Sequence, residues 1–456
     1  MEYENRTENP LGVLPVPVLL KKFAVPSIIA MLTSALYNIV DQFFIGNSVG
    51  ALGNAATNIA FPLSTACISI ALLFGIGGAS AFNLAKGRGN EEEAVHCMGN
   101  AITGMMVLGC LLLLVTQLFL EPMIRFFGAP DSIMEYAKTY IRITSLGFPV
   151  LILTAGGGHL IRADGSPKMS MICNVTGAII NTILDALFVF GFDWGMAGAA
   201  WATVIGQYIS VMLVIRYLSH CKTVDLKPKH LKPAAGYMKK DVTLGAASCS
   251  NQLAMMVVQL VMNKSLTYYG GLSSYGQEIP LACAGIITKV NQVFFSIIIG
   301  ISQGLQPIVS YNYGAKQYDR VKKGYLLAAK SGLMISVIAF LIFQIFPRQI
   351  IAIFGNGSEE YIRFAVSYFR IFLFFTFLNF IQPITSNSFT AIGKPGLGMF
   401  LSLTRQILFL LPLIVILPFF IGIDGILFAG PIADGLAGAV AVFLMYRELK
   451  RPEYQV

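Results

Sequence analysis

Twelve long apolar segments limit this chain to very few folds. Each is about twenty residues or longer, which is the length that a helix needs to cross the hydrocarbon core of a bilayer. A soluble domain carries about 25% charged residues, whereas this chain is 12% charged and 55% hydrophobic. The sequence therefore predicts an all-α polytopic membrane protein with twelve transmembrane helices, and it excludes an ordinary soluble enzyme. The approximate cores of the predicted spans are 23–46, 55–85, 96–120, 138–161, 169–191, 195–218, 242–268, 280–311, 324–346, 364–391, 398–421 and 425–446.

The basic residues predict how the spans are oriented. Lys and Arg are concentrated in the connections on one side, for example Lys86 and Arg88 after the second span and Lys322 and Lys323 before the ninth. By the positive-inside rule these connections lie in the cytoplasm, as do both termini. We therefore expect a multi-pass protein of the cell membrane, the plasma or inner membrane. The same rule accounts for the net charge of +9 without a nucleic-acid partner.

A polar, basic segment divides the chain into two halves. Residues 219–240 (SHCKTVDLKPKHLKPAAGYMKK) are predicted to form a cytoplasmic linker between an N-terminal lobe (1–218, helices 1–6) and a C-terminal lobe (241–456, helices 7–12). The topology rule explains the lysines of the linker, and binding of lipid head groups is a second interpretation. Short matches in the same order, such as GFDWGMAG with GIDGILFAG and Tyr140 with Tyr368, indicate an internal duplication. Two pseudo-symmetric six-helix bundles with a cleft at their interface are the expected architecture.

Two carboxylates lie inside the predicted spans of the first half. Asp41 is the one ionisable residue of the first span, and Asp185 follows Asn181 by four positions on the same side of the fifth. A carboxylate at membrane depth costs about 2.5–3.5 kcal/mol on insertion scales, so it normally faces the interior of the bundle. Together with Thr203 of the sixth span these residues would form a pocket of oxygen ligands, which suits either Na⁺ or H⁺. For Asn181 and Thr203 the alternative is an ordinary hydrogen bond between helices.

Polar and charged residues of the second half are candidates for a substrate cavity or for helix packing. Lys289 lies in the eighth span, Arg405 in the eleventh and Asp434 in the twelfth. Two interpretations of Lys289 stay open: it forms an ion pair with Asp434, or it has a role in transport. Abundant aromatic and Met residues would suit organic cations, and Tyr37 lies one turn before Asp41. The candidates for the substrate cavity are Tyr37, Gln207, Asn251, Gln252, Lys289 and Asp434.

The chain lacks the short motifs of several enzyme classes. It contains no HExxH, CxxC, Walker A loop or paired-Asp prenyl-phosphate motif, so neither an enzyme nor an ATP-driven pump is expected. No cofactor is expected beyond a coupling ion, H⁺ or Na⁺. The expected partners are small organic cations and membrane lipids, and a monomer suffices for this architecture. A flippase for a lipid-linked or lipid-like substrate and an intramembrane prenyl transferase are the alternative functions.

Several motifs resemble those of one transporter family. They are Pro26 with NIVDQFFIG in the first span, LAKGRGNEEEA and YNYGAKQYD after the second and eighth spans, RADGSPK, and GFDWGMAGAAWAT. Together, at these distances, they resemble the multidrug and toxic compound extrusion (MATE) antiporters of the MOP flippase superfamily, in particular the bacterial MepA-like branch. The resemblance covers nearly the whole chain. It implies a V-shaped pair of six-helix bundles that exports organic cations in exchange for H⁺ or Na⁺.

The resemblance also implies roles for individual residues. Asp41, Asn181, Asp185 and Thr203 align with a cation-coupling site in the N-terminal lobe of some members, and Pro26 aligns with a proline at which the first helix would bend. Other members have acidic residues for ion coupling in helices seven and eight. The predicted spans seven and eight of this chain contain none, which favours coupling through the N-terminal lobe.

Overall fold

The computed structural model describes residues 9–354 and 358–454, and this part of the chain is built from helices. Eleven helical segments are long and apolar enough to cross a membrane alone, and a bent pair of helices makes the twelfth, so the predicted spans are confirmed. In chain order the spans are α1 (Val16–Ser48), α2 (Ala51–Gly87), α3 (Glu91–Leu118), α4 (Asp131–Ser145 and Phe148–Ala163), α5 (Pro167–Asp185, continued by a π-helical turn at Ala186–Gly191), α6 (Gly195–Leu218), α7 (Ala235–Gly271), α8 (Glu278–Gly314), α9 (Tyr318–Ile345), α10 (Glu359–Phe372 and Ile381–Ala391), α11 (Pro395–Leu403, Thr404–Leu410 and Leu411–Ile421) and α12 (Ile423–Leu449). Short helices at Pro10–Val13, Leu120–Phe126 and Pro347–Phe354 lie at the ends of spans.

The fourth span is broken, whereas the sequence predicts one continuous segment. Its two helices meet at an angle of 55°. Pro149, the second residue of the later helix, has no N–H with which to continue the hydrogen bonding of the earlier one. Leu146 and Gly147 close the break with tight turns onto Ile143 and Thr144. The bend gives the two halves of α4, Asp131–Ser145 and Phe148–Ala163, different directions.

Each half of the chain has a buried apolar cluster, and α1 contributes to both. Leu19, Leu20 and Phe23 pack into the cluster formed by the second half. Ile45, near the other end of α1, packs into the cluster formed by the first half. We use N-lobe for α1–α6 and C-lobe for α7–α12. The long first helix therefore packs into both lobes, although the linker alone joins them in sequence.

The lobes meet backbone to backbone where α1 crosses α8 and α2 crosses α7. A Cβ atom at Gly304 would lie 2.5 Å from Cα of Ala24, and one at Gly245 would lie 1.7 Å from the carbonyl oxygen of Leu73. Only glycine permits such an approach. These contacts lie toward the end of the bundle that carries the linker, which we call the linker end.

The linker is folded against the N-lobe. The carboxylate of Asp164 accepts hydrogen bonds from the backbone N–H groups of Lys222 (2.6 Å) and Thr223 (3.1 Å). Nζ of Lys86 donates to the carbonyl oxygen of Thr223 at 2.9 Å. Further along, the N–H of Ala234 donates to Oδ1 of Asn100 at 2.7 Å. Contacts at both of its ends thus hold the linker on the surface of α2, α3 and α4.

His230 lies in a short 3₁₀ turn of the linker and packs against His96 of α3. Its ring is buried, lies 4.8 Å from the ring of His96 between centroids, and accepts the N–H of Lys227 at Nδ1. Desolvation is the largest cause that lowers the pKa of His230 below its usual value, and the nearby His96 and Lys229 lower it further. The neutral ring is therefore the form that the fold favours. Its contribution to stability is present above pH of about 6.5 and is lost as the pH falls below that value.

We expect the melting temperature of the wild-type protein to fall more steeply below pH 6.5 than that of His230→Gln. Glutamine retains a hydrogen-bonding side chain but does not titrate, so the component of the pH profile that comes from His230 disappears. Thermal melts in one detergent between pH 8 and pH 5 measure the difference. Parallel profiles for the two proteins would show that His230 does not couple linker docking to pH.

Candidate functional site

The N-lobe encloses a pair of carboxyl groups where α1 packs against α5. Asp41 is 8% exposed, and Asp185, the last residue of the α-helical part of α5, is fully buried. The two carboxyl groups lie side by side. The structure thus brings together the two acids that the sequence singles out. Two negative charges in contact inside a low-dielectric bundle repel each other strongly, so a proton or a cation has to accompany them.

The backbone of α5 changes its hydrogen-bonding pattern at this pair. The α-helix ends at Asp185, and a π-helical turn follows at Ala186–Gly191. Such single π turns within α-helices are frequent at functional sites. Here the irregular turn begins directly after the buried carboxylate.

Asn181 and Thr203 complete the pocket. Nδ2 of Asn181 donates to Oγ1 of Thr203 at 3.2 Å, which joins α5 to α6. This bond leaves other acceptors unmet: Oδ1 of Asn181, both carboxylate oxygens of Asp185 and Oδ1 of Asp41 are buried with no donor group in reach, and the two carboxyl groups can hydrogen-bond each other only when one of them carries a proton. Buried acceptors without donors are costly. Carboxylate, amide and hydroxyl oxygens from three helices therefore fit the requirements of a proton or of a hard cation such as Na⁺.

Two tyrosines border the carboxyl pair. Tyr37 of α1 lies beside the hydroxyl of Thr203 and near both carboxyl groups. Tyr140 of α4 also lies near Asp41 and Asp185. Sequence reasoning missed Tyr140, because its approach to the two acids depends on how α4 packs in the N-lobe. Its match with Tyr368 in the other half was the one signal that marked it.

Gln207 lies next to this pocket, whereas Pro26 precedes Asp41 by fifteen residues on α1, about 22 Å along the helix axis. Gln207 follows Thr203 by one turn of α6, and its buried Oε1 packs against Gly147 at the break of α4 without a hydrogen-bond partner. Pro26 is buried within α1, which continues through it as a helix. It lies close to the point where α1 passes from one apolar cluster to the other. Its role as a hinge stays a prediction.

The C-lobe contains a buried ion pair of its own. Nε of Arg405 lies 2.6 Å from Oδ1 of Asp434, and their side chains are 14% and 2% exposed. The Arg405 guanidinium also lies over the ring of Phe295, 6.0 Å from its centroid. The suggested ion pair between Lys289 and Asp434 is therefore wrong. Arg405 reaches Asp434 because the π-helical segment of α11 packs directly against α12.

Asn251 and Gln252 are half-buried on α7. The amide of Asn251 contacts Sδ of Met255, one turn further along, at 3.7 Å. Their place in a substrate cavity stays a prediction, as does that of Lys289.

The expectation that helix seven lacks an acidic residue is also corrected by the structure. The helix begins at Ala235 rather than near 242 and so includes Asp241. This side chain is completely buried, and neither of its oxygens has a hydrogen-bond partner. The apolar window starts one residue too late to include it, because the residues of α7 before Asp241 are polar, exposed or half-buried, whereas Asp241 itself is buried where its backbone packs against Gly77 of α2.

Comparisons with known proteins agree with these features. The family model for MatE matches residues 26–187 and 247–416. "Multidrug export protein MepA" of Staphylococcus haemolyticus is 25% identical over 425 residues, 93% of this chain and 92% of that protein. The MepA protein of Staphylococcus aureus is 24% identical over 433 residues, 95% of this chain and 94% of its own length.

Solved structures show the same fold. A MATE multidrug transporter, DinF-BH, solved in complex with R6G, is 32% identical, with a TM-score of 0.90 over 99% of this chain and 100% of its own. A MOP superfamily transporter from Pyrococcus furiosus is 21% identical, with a TM-score of 0.90 over 96% of this chain and 97% of its own. The two-lobed helical fold, the motifs and the match over both halves lead to one conclusion: this chain belongs to the MatE family of MATE transporters.

Proposed function

We propose that the protein is a secondary active multidrug efflux antiporter, which exports amphiphilic organic cations in exchange for H⁺ or Na⁺. The observation that carries this proposal is the adjacent pair Asp41 and Asp185, buried in the N-lobe with three of their carboxylate oxygens lacking a hydrogen-bond partner. Asn181 and Thr203 supply the remaining polar groups of this coupling site. The names of the MepA relatives and the R6G complex of DinF-BH support multidrug export as the class of transport.

The positions of the contacts between the lobes support an assignment of the conformation. The lobes touch at the linker end, and the positive-inside rule assigns this end to the cytoplasm. The conformation would then be closed to the cytoplasm and open to the outside. Both termini would be cytoplasmic, and the protein would act as a monomer in the cell membrane.

Coupling requires that the ion and the drug favour different conformations, since a ligand shifts an equilibrium only by its differential affinity. In our proposal the ion neutralises Asp41 and Asp185 and stabilises the packing of α1 against α5. Because α1 is also anchored in the C-lobe through Leu19 and Phe23, a change at Asp41 would be transmitted to both lobes. The substrate would be released outward when the ion binds.

Dye efflux from proteoliposomes under separately imposed pH and Na⁺ gradients tests the proposal. A tenfold gradient of a monovalent ion provides about 1.4 kcal/mol, so one-for-one exchange supports up to about tenfold accumulation of a monovalent dye. We expect accumulation with at least one of the two gradients and none without a gradient. Dye that only equilibrates under both gradients would contradict antiport.

A flippase for a lipid-like substrate is the second candidate function. The observation that favours it is Lys289, a half-buried cation in the C-lobe that has no ion-pair partner among the described residues. Translocation of a fluorescent lipid in the same vesicles, without accumulation of dye, would support the flippase instead.

A further inference from the structure

One face of α8 forms the C-lobe side of the contact with α1. Gly300 packs against Ile28, and Gly304 packs against Ala24, with ideal Cβ positions 2.6 and 2.5 Å from the Cα atoms of those residues. Lys289 precedes Gly300 by eleven residues, close to three full helical turns, and therefore lies on the same face.

The lobes separate along this face before Lys289 is reached. Ser296 and Gly300 are buried, whereas Val293 and Lys289 on the same face are half-buried and Gly285, further toward the start of α8, is exposed. The contact with the N-lobe thus loosens beyond Ser296. Lys289 lies about 10 Å beyond Ser296 at 1.5 Å per residue, on the C-lobe wall of the opening between the lobes.

Lys289 is a cation without a counterion. In the chain segments 9–354 and 358–454, no acidic side chain lies within ion-pair distance of it. Arg405, the other basic residue buried deep in this lobe, is paired with Asp434 at 2.6 Å. A charged residue at membrane depth normally has a partner or serves a functional site. We therefore expect the counterion of Lys289 to be part of a molecule that enters the opening between the lobes.

Carboxamide groups of α7 line the same opening. Gly245 marks the face of α7 that touches α2. Gln252 and Gln259 follow it by seven and fourteen residues, so they lie on the same face, further from the linker end. Both are half-buried, and Nε2 of Gln259 donates to Oδ1 of Asn263 at 2.9 Å. Such side chains can donate hydrogen bonds to an oxyanion.

We propose that Lys289 is a specificity residue that binds an oxyanion group, a carboxylate or a phosphate, of the molecule in the cleft. The transported compounds would then include amphiphiles with a negatively charged group and not only simple cations. This inference rests on the proposed export function in one respect, that the opening is the path of the substrate. The phosphate of a lipid head group is a second source of the same chemistry.

Two dyes that differ by one carboxylate test the proposal. Rhodamine 6G is a cationic ester, and its hydrolysis product carries a free carboxylate on the same ring system. Binding of each dye is measured by fluorescence anisotropy with the protein in phosphatidylcholine nanodiscs. The variants are Lys289→Gln and Lys289→Arg, and the matched control is Lys330→Gln, which removes an exposed lysine of α9.

We expect Lys289→Gln to weaken binding of the free acid by roughly tenfold or more, because a charge-assisted hydrogen bond is lost. Binding of the ester should change less than about twofold by the same reasoning. Lys289→Arg should retain most of the affinity for the free acid, and Lys330→Gln should behave as the wild type. Equal effects of Lys289→Gln on both dyes, or no effect on either, would overturn the proposal.

A second experiment identifies the source of the anion, and the outcomes distinguish a failure of this proposal from a failure of the proposed export function. If phosphatidylglycerol in the nanodisc competes with the free acid in the wild type but not in Lys289→Gln, the lipid head group also occupies the site. If the lipid has no effect, the substrate alone supplies the anion. Wild-type protein that bound neither dye would contradict the export function as well. Wild-type protein that bound the ester normally and the acid without any dependence on Lys289 would contradict only this inference.

Discussion

Replacing Asp185 with asparagine is expected to abolish accumulation of dye driven by an ion gradient, and Asp41→Asn should have the same effect. Asparagine keeps the size of the side chain but neither takes up a proton nor offers the charge that holds a cation. Losing one charge-assisted interaction of this kind costs about 1.5–3 kcal/mol, which corresponds to a loss of roughly tenfold or more in coupled transport. The measurement is dye efflux in proteoliposomes, with the passive leak subtracted.

The control for this pair is Asp424→Asn, which removes an exposed carboxylate at the start of α12. It should transport like the wild type. Dye binding by the Asp185→Asn variant, measured separately, distinguishes a loss of coupling from a loss of fold. Full gradient-driven accumulation by both Asp41→Asn and Asp185→Asn would refute the assignment of the coupling site.

The second large effect is expected on stability. Asp434→Leu leaves the Arg405 guanidinium buried without its counterion, and breaking a buried pair in this way costs about 3–5 kcal/mol. The double variant Arg405→Met with Asp434→Leu replaces both charges by apolar groups and should recover most of the loss. Thermal melts in detergent compare the two with the wild type.

The exposed pair formed by Asp319 and Lys323 is the matched control. Their side chains are 59% and 66% exposed, so Asp319→Ala should cost no more than about 1 kcal/mol. If Asp434→Leu were as mild as Asp319→Ala, the buried pair would not be important for the stability of the C-lobe.

Hydropathy was sufficient to predict the twelve helices, because a bilayer admits few other folds for such segments. It was insufficient for the ends of helices that continue outside the apolar window, as with Asp241 at the start of α7. It also missed the break in α4, where Pro149 and the preceding Gly147 were visible but their effect depends on packing.

The candidate site was also predictable from the sequence only in part. Asp41 and Asp185 could be selected from the sequence because the cost of a charge in lipid singles out individual residues without knowledge of their neighbours. Tyr140 and the pairing of Arg405 with Asp434 could not be predicted, since both depend on which helices pack together. Charge alone does not decide whether Lys289 or Arg405 is closer to Asp434.

The sharing of α1 between the lobes likewise has no local sequence signal. Most residues of the helix are apolar at both of its ends, and only the partners of Leu19 and Ile45 reveal that these ends belong to different clusters. This arrangement makes the carboxylate of Asp41 part of the connection between the lobes.

The central claim is that one pocket exchanges an ion for a drug, and the most direct test is to follow both in the same proteoliposomes. Entry of H⁺ or Na⁺ and movement of rhodamine 6G are recorded together, for the wild type and for Asp185→Asn. The account predicts that ion entry accompanies dye movement in the wild type and that both are lost in the variant. Accumulation of dye against its gradient with no accompanying ion, or undiminished ion–dye exchange in Asp185→Asn, would contradict it.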